Sequence, residues 1–134
     1  MKFIHSRHSV SALQYHFVFS PKYRKSMLIG GVDERFKAIL FELANEKGWQ
    51  IQSLEVMPDH VHILIAAEPK WSASEIMKFV KGRTSFMLRK EFPQLKEIVK
   101  KSLWTSSFFV CSVGSTDEEV VTRYIENQKK EMIN

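Results

Sequence analysis

Cysteine, long apolar runs and repeated segments are scarce or absent in this chain of 134 residues. The single cysteine, Cys111, excludes a disulfide within the chain and favours a reducing compartment, so we expect a cytoplasmic protein. No apolar run approaches the roughly 20 residues that span a bilayer, and residues 1–8 are polar and basic, so we expect neither a membrane partner nor a secretory signal. No repeat, low-complexity tract or linker divides the sequence, which predicts a single domain over residues 1–134.

The charge is biased towards the basic side, with 20 Lys and Arg against 15 Asp and Glu, a net charge of +5. A basic surface favours a polyanionic partner, because lysine and arginine neutralise phosphates and release counterions. Basic residues follow the first predicted strand and line a later helix. Those we consider as nucleic-acid contacts are Lys22, Arg24, Lys81 and Arg83. The alternative for each cluster is an ordinary solvated surface.

Alternation and helical periodicity predict the order of the elements. Strands are expected over residues 11–20, 49–56, 60–67 and 104–113, and helices over residues 33–47, about 72–92 and about 116–132. Capping boxes at Ser72 with Glu75 and at Thr116 with Glu119 open the last two helices. The order is βαββαβ plus a C-terminal helix, which predicts an α+β fold of the ferredoxin-like (RRM-like) type with an antiparallel sheet.

That topology places the first and third strands side by side in the centre of the sheet. We therefore expect the apolar faces of both strands to cover the helices. The opposite face would carry His16, His60 and His62, and we expect this face to be open. The C-terminal helix can lie over it and bring Tyr124 towards the histidines.

The most informative motif is His60-Val61-His62, which lies in an apolar run behind the turn Met57-Pro58-Asp59. Side chains alternate between the faces of a strand, so the two imidazoles point the same way. That geometry suits one metal ion. A His-x-His pair on a strand is nevertheless more often structural when it stands alone.

Tyr124 and Gln128 lie four residues apart near the C-terminus and share one helix face. Two imidazoles, an amide oxygen and a phenol would suit metal-assisted attack on a phosphodiester. Periodicity alone favours Tyr124 as a core residue among Val120, Val121 and Ile125, and Gln128 as an exposed residue.

Four short segments of the sequence carry a family resemblance, which extends in order along nearly the whole chain. They are the run Tyr15 to Phe19 leading into Pro21-Lys22-Tyr23-Arg24, the run Met57-Pro58-Asp59-His60-Val61-His62-Ile63-Leu64-Ile65, the run Ser112-Val113-Gly114-Ser115, and the run Arg123-Tyr124-Ile125-Glu126-Asn127-Gln128. Their order and spacing resemble the single-tyrosine HUH transposases of the IS200/IS605 type.

The resemblance implies a metal-dependent enzyme that cleaves and rejoins single-stranded DNA at hairpin-marked element ends through a 5′-phosphotyrosine. Tyr124 matches the nucleophile, while His60, His62 and Gln128 match the ligands of a divalent ion, Mg²⁺ or Mn²⁺. His16 is a candidate supporting group behind the ligands, and a satisfied polar residue on the sheet is the equal alternative. The implied partners are single-stranded DNA with subterminal hairpins and a second copy of the chain, with no small-molecule substrate.

The last predicted strand supports a homodimer independently of the resemblance. Residues 108–111 and 113 are apolar, so both faces of the strand are apolar, as in a strand inside an extended interface. Burial within one copy of the chain is the alternative.

Two other functions remain open from the sequence. One is a related enzyme that acts on chromosomal hairpin repeats, which only the DNA beside the gene can distinguish from a mobile element. The other is a non-catalytic RRM-like module whose sheet aromatics stack bases. In that module the histidine pair and Tyr124 would be incidental.

Overall fold

A computed structural model describes residues 13–113 and the backbone of two short N-terminal strands. These two strands, β1 (Ile4–His5) and β2 (Val10–Ser11), pair with each other in antiparallel fashion. The remaining elements are β3 (Leu13–Phe19), a 3-10 turn (Lys22–Arg24), α1 (Val32–Lys47), β4 (Gln50–Met57), β5 (His60–Ala67), α2 (Ala73–Glu91), α3 (Pro93–Ile98) and β6 (Phe109–Val113).

The main sheet has the strand order β4-β5-β3-β6, and every neighbouring pair is antiparallel. The first and third strands of the predicted βαββαβ order, β3 and β5, are therefore the two central strands. This confirms the predicted ferredoxin-like α+β arrangement. The predicted C-terminal helix at about residues 116–132, with its capping box and Tyr124, lies outside the described residues.

The hydrophobic core lies between one face of this sheet and the helices α1 and α2. Phe17 and Phe19 of β3 and Ile63 of β5 supply the sheet side, and each is at most 2% exposed. Trp104 packs edge-on against Phe19 and Phe36, with ring centroids 4.8 and 5.5 Å apart respectively. The alternation of β3 and β5 thus places their aromatic and branched side chains against the helices, as predicted.

Local sequence signals determine where the helices begin and end. Gly31 and Gly48 flank α1 with positive φ angles of 96° and 78°, a conformation in which glycine avoids the strain of a side chain. The predicted capping box at α2 forms, because the Ser72 hydroxyl accepts from the Glu75 amide while the Glu75 carboxylate accepts from the Ser72 amide. None of the described helices is long and apolar enough to cross a membrane.

The last strand is shorter than predicted, since β6 begins at Phe109 and not at Trp104. The only strand-like pairing of Trp104 is an isolated bridge to Pro21. The Lys81 ammonium donates hydrogen bonds to the main-chain carbonyl oxygens of Thr105 and Ser107, at 2.7 and 2.9 Å. These carbonyls are therefore turned to helix α2 and not to a neighbouring strand. Within residues 104–108 only Trp104 and Phe108 are apolar, and both pack against the core without joining a strand.

Candidate metal centre

The histidine pair lies on β5, which has a hydrogen-bonded strand on each side. His62 is opposite Val18 of β3 and Glu55 of β4, while His60 is opposite Met57 at the start of the strand. The two imidazole rings have centroids 4.9 Å apart and are nearly perpendicular. Both lie on the sheet face away from the helices, because Val61 between them belongs to the core. The prediction that the two imidazoles share one face is confirmed.

The face that carries the histidines is buried, so the expectation of an open face is wrong. His60 and His62 are 3% and 2% exposed, and His16 and Gln14 of β3 are 0% and 2% exposed. Polar side chains at alternate positions distinguish the two faces of a strand and do not show that either face meets solvent. The central strands of this sheet are instead covered on both faces, and a substitution here must be expected to affect folding as well as function.

Asp59 orients His60. The Asp59 carboxylate oxygen lies 2.8 Å from Nδ1 of His60. An ionised carboxylate only accepts hydrogen bonds, so Nδ1 carries the proton and the lone pair of the neutral ring is on Nε2. Nε2 is buried and has no hydrogen-bond partner among the described residues. A carboxylate that fixes the tautomer while the other nitrogen stays available is typical of metal-binding histidines.

The sequence motif contains Asp59, but the sequence alone indicates only that this residue belongs to the turn before the histidine strand. The available signal was an acidic residue immediately before the first histidine, at the end of a turn. Spacing alone does not reveal which nitrogen such a carboxylate would reach.

His16 lies beside the pair, with its ring centroid 5.9 Å from that of His62. Burial lowers the pKa of His16 to about 4, so the ring is neutral at physiological pH. Within residues 13–113, no group of three or more histidine, cysteine or acidic side chains is arranged to hold a metal ion. A metal ion at the histidine pair would need further ligands from outside these residues. Gln128, the predicted third ligand, and Tyr124 lie outside the described residues.

The four basic residues predicted as nucleic-acid contacts fall into two groups. Lys22 and Arg24 lie in the turn after β3, at the protein surface. Lys81 donates to two main-chain carbonyls and lies over the Phe108 ring, while the Arg83 guanidinium pairs with Glu46 at 2.9 Å. The structure thus gives Lys81 and Arg83 roles in the fold, and a DNA contact at any of the four stays a prediction.

The turn that carries Lys22 and Arg24 lies at the histidine end of the sheet. Phe19, at the end of β3, is opposite Val61, and the Leu28 amide donates to the Pro58 carbonyl at 3.0 Å. The basic turn and the turn before His60 are therefore adjacent.

A cavity of about 550 Å³ opens between residues 25–32 and α3, and no histidine lines it.

Comparison with known proteins identifies similar sequences along most of the chain. The sequence pattern described as "Transposase IS200 like" matches residues 9–128. The chain is 35% identical over 120 residues to the ISDra2 transposase TnpA of Deinococcus radiodurans, covering 89% of this chain and 86% of that protein. It is 34% identical over 119 residues to the transposase for insertion sequence element IS200 of Salmonella typhimurium, covering 88% and 78%.

Solved structures share the fold. A candidate transposase from Deinococcus radiodurans R1 superposes with a TM-score of 0.76 at 34% identity, covering 93% of this chain and 97% of that one. A REP-associated tyrosine transposase, solved bound to a REP hairpin, gives a TM-score of 0.62 at 14% identity, covering 89% and 67%. The second similarity is one of fold alone.

The buried His16 predicts a pH dependence of stability that a glutamine would remove. Because burial lowers the folded-state pKa to about 4 from the ordinary 6.5, only the unfolded chain gains this proton between those pH values. The free energy of unfolding therefore falls as the pH falls through that window, by up to about 3 kcal/mol for this one ring. Urea denaturation in EDTA at several pH values between 4 and 7.5 should show this component in the wild type and not in His16→Gln. Equal pH slopes for the two proteins would contradict the assignment.

Proposed function

Because the chain belongs to the IS200-like transposase family, we propose that it cleaves and rejoins single-stranded DNA at hairpin-marked element ends, with a divalent metal ion and a 5′-phosphotyrosine intermediate. Family membership makes it a DNA-processing enzyme of transposition. The observation that carries the metal-dependent part is the histidine pair on β5, with Asp59 fixing the tautomer of one ring.

The donor set fits a divalent ion. His60 offers a buried imidazole nitrogen whose lone pair is available, and His62 lies beside it on the same strand face. We propose that Gln128 adds an amide oxygen, which leaves positions for phosphate and water. Imidazole ligands suit Mn²⁺ better than the all-oxygen sites typical of Mg²⁺, and either ion could serve. When bound, the ion would polarise a non-bridging phosphate oxygen and stabilise the charge that develops on it.

Tyr124 is the proposed nucleophile. Its phenol oxygen would form a bond to phosphorus, the bond from phosphorus to the 3′ oxygen would break, and that oxygen would take a proton and leave as a 3′-OH. The DNA would remain attached through its 5′ phosphate. A 3′-OH of the strand to be joined would then attack the same phosphorus and release the tyrosine. The phosphodiester energy is conserved, so rejoining needs no external energy source.

Replacing Tyr124 with phenylalanine tests the nucleophile, because this change removes only the hydroxyl. Wild-type protein, single-stranded DNA bearing an element-end hairpin, and Mg²⁺ or Mn²⁺ should give a covalent adduct that survives SDS. The Tyr124→Phe variant should bind the same DNA and form none. Tyr23→Phe is the matched control and should still form the adduct. An undiminished adduct in Tyr124→Phe would eliminate this nucleophile, and no adduct in the wild type would favour a non-catalytic binding module.

The metal site is tested by measuring Mn²⁺ binding directly, by calorimetry, beside cleavage. His60→Ala or His62→Ala should abolish both, and EDTA should stop cleavage by the wild type. Asp59→Ala should weaken Mn²⁺ binding by about 10- to 100-fold, because the ring loses the carboxylate that holds its tautomer.

The control for Asp59→Ala is Glu68→Ala, which removes a carboxylate just beyond the other end of β5. Because the histidines are buried, each variant must first be shown to unfold cooperatively in urea. Cleavage that persists in EDTA, or Mn²⁺ affinity unchanged by both histidine substitutions, would refute the metal site.

We further propose a homodimer that forms along β6. This strand pairs with β3 on one side, and no other described strand pairs with it on its other side. Phe109 and Val110, on opposite faces of this strand, are each 36% exposed. An exposed apolar edge strand readily pairs with another chain, so a second copy is the occupant that fits it best.

Sedimentation of the wild type should give the mass of a dimer, and Val110→Glu should shift the protein to the monomer. Phe41→Glu is the matched control, since Phe41 is an exposed apolar residue of α1, 51% accessible and far from β6 in the fold. A monomeric wild type, or a Val110→Glu variant that remains dimeric, would rule out this interface.

A further inference from the structure

The turn after β3 contains two consecutive residues other than glycine with positive φ. Tyr23 has φ 62° and ψ 11°, and Arg24 has φ 51°. Left-handed backbone is unfavourable for residues with a side chain, and an aromatic residue has no local means of relieving the cost. Such strain persists only where the surrounding structure determines it, and it is concentrated at functional sites.

The surrounding structure does determine this turn. The Lys22 amide donates to the Leu103 carbonyl at 2.8 Å, and Pro21 forms a bridge to Trp104, which is 1% exposed. On the other side of the turn, Met27 and Leu28 are buried in the core. The turn is thus fixed at both ends by buried residues.

The turn presents the Tyr23 ring to solvent. This side chain is 75% exposed, more than any other large apolar side chain in residues 13–113. The residues beside it are basic, with Lys22 before it and Arg24 and Lys25 after it. An exposed aromatic ring among cations is the combination that binds single-stranded nucleic acid, because bases stack on the ring while cations meet the phosphates.

The turn also lies beside the histidine pair. The Leu28 amide bonds to the carbonyl of Pro58, two residues before His60, and β3 reaches the turn from its position opposite His62. A single strand whose phosphate lies at the histidines would therefore pass close to this turn.

We propose that Tyr23 is a base-stacking residue, which receives a nucleobase of the single-stranded DNA next to the cleaved phosphate, while Lys22 and Lys25 contact the neighbouring phosphates. The strained backbone holds the ring in place before the DNA arrives. This inference rests on the proposed function for its ligand, and it names a positioning residue of that same site.

Tyr23→Asn is the decisive variant, because asparagine tolerates left-handed backbone and so removes the ring while keeping the turn. Tyr23→Phe keeps the ring, and Phe86→Ala removes another exposed aromatic, 65% accessible, that also lies among basic residues on α2. All variants carry Tyr124→Phe and are measured in EDTA, so no cleavage occurs. The probes are a fluorescently labelled single-stranded thymidine oligonucleotide of about 15 nucleotides, long enough for a typical site, and its abasic counterpart.

Tyr23→Asn should raise the dissociation constant for the thymidine strand by about 5- to 100-fold, the range expected for loss of one stacked base. Tyr23→Phe and Phe86→Ala should stay within about twofold, a difference that is small beside stacking. On the abasic strand Tyr23→Asn should match the wild type, because there is no base to lose. Thermal unfolding of Tyr23→Asn should occur at or above the wild-type temperature, since the backbone strain is relieved.

Unchanged affinity in Tyr23→Asn would overturn the inference, and so would an equal loss on the abasic strand. A loss of the same size in Tyr23→Phe would also overturn it, because that variant keeps the ring. These outcomes are independent of the covalent adduct. If the adduct forms and Tyr23→Asn has no effect, the transposase mechanism is supported and the stacking role is refuted. If Tyr23→Asn weakens binding and no adduct forms, the stacking role is supported and the covalent mechanism is refuted.

Discussion

The antiparallel pairing of β3 with β5 is the constraint on which the rest of the structure depends. Its register sets Phe17 opposite Ile63 and Val18 opposite His62. In strands the side chains alternate, so one register decides both faces of the sheet at once: aromatic and branched residues against the helices, imidazoles on the opposite side. A slip by one residue would turn the histidines into the hydrophobic core and the core residues out of it. The histidine half of the candidate site therefore forms in the same event as the fold.

The parts of the fold that the sequence predicted well are those with signals inside one segment. The bounds of β5, His60–Ala67, follow from the turn residues before it and the apolar run within it. The helix α2 follows from its capping box and from Pro93. The predicted start of β6 at Trp104 was wrong, because the Lys81 ammonium binds the Thr105 carbonyl. Lys81 is 24 residues away from Thr105 in sequence. A pattern within one segment carries no information about such a distant partner.

For the candidate site too, the sequence predicted only what has a signal within one segment. Two histidines separated by a single residue on a strand must share a face, and His60 and His62 do so. The burial of that face was not predictable, because alternation distinguishes polar from apolar sides and not exposed from covered ones. The hydrogen bond between His60 and Asp59 was signalled only by the acidic residue next to the histidine, which does not reveal the nitrogen that it reaches. The left-handed backbone at Tyr23 had no signal, since no glycine marks it. The roles of Tyr124 and Gln128 stay predictions from the family resemblance.

The position of β5 between two hydrogen-bonded neighbours has a consequence for how the enzyme could work. The spacing of the two imidazoles is set by the repeat of a strand that cannot lengthen, rotate or separate from its neighbours without breaking the sheet. The half of the site that they form is a rigid platform, whose ordering entropy is lost once, when the chain folds, and not again at each encounter with DNA. Any movement that the reaction requires has to be made by the DNA and by protein groups that approach from outside the sheet.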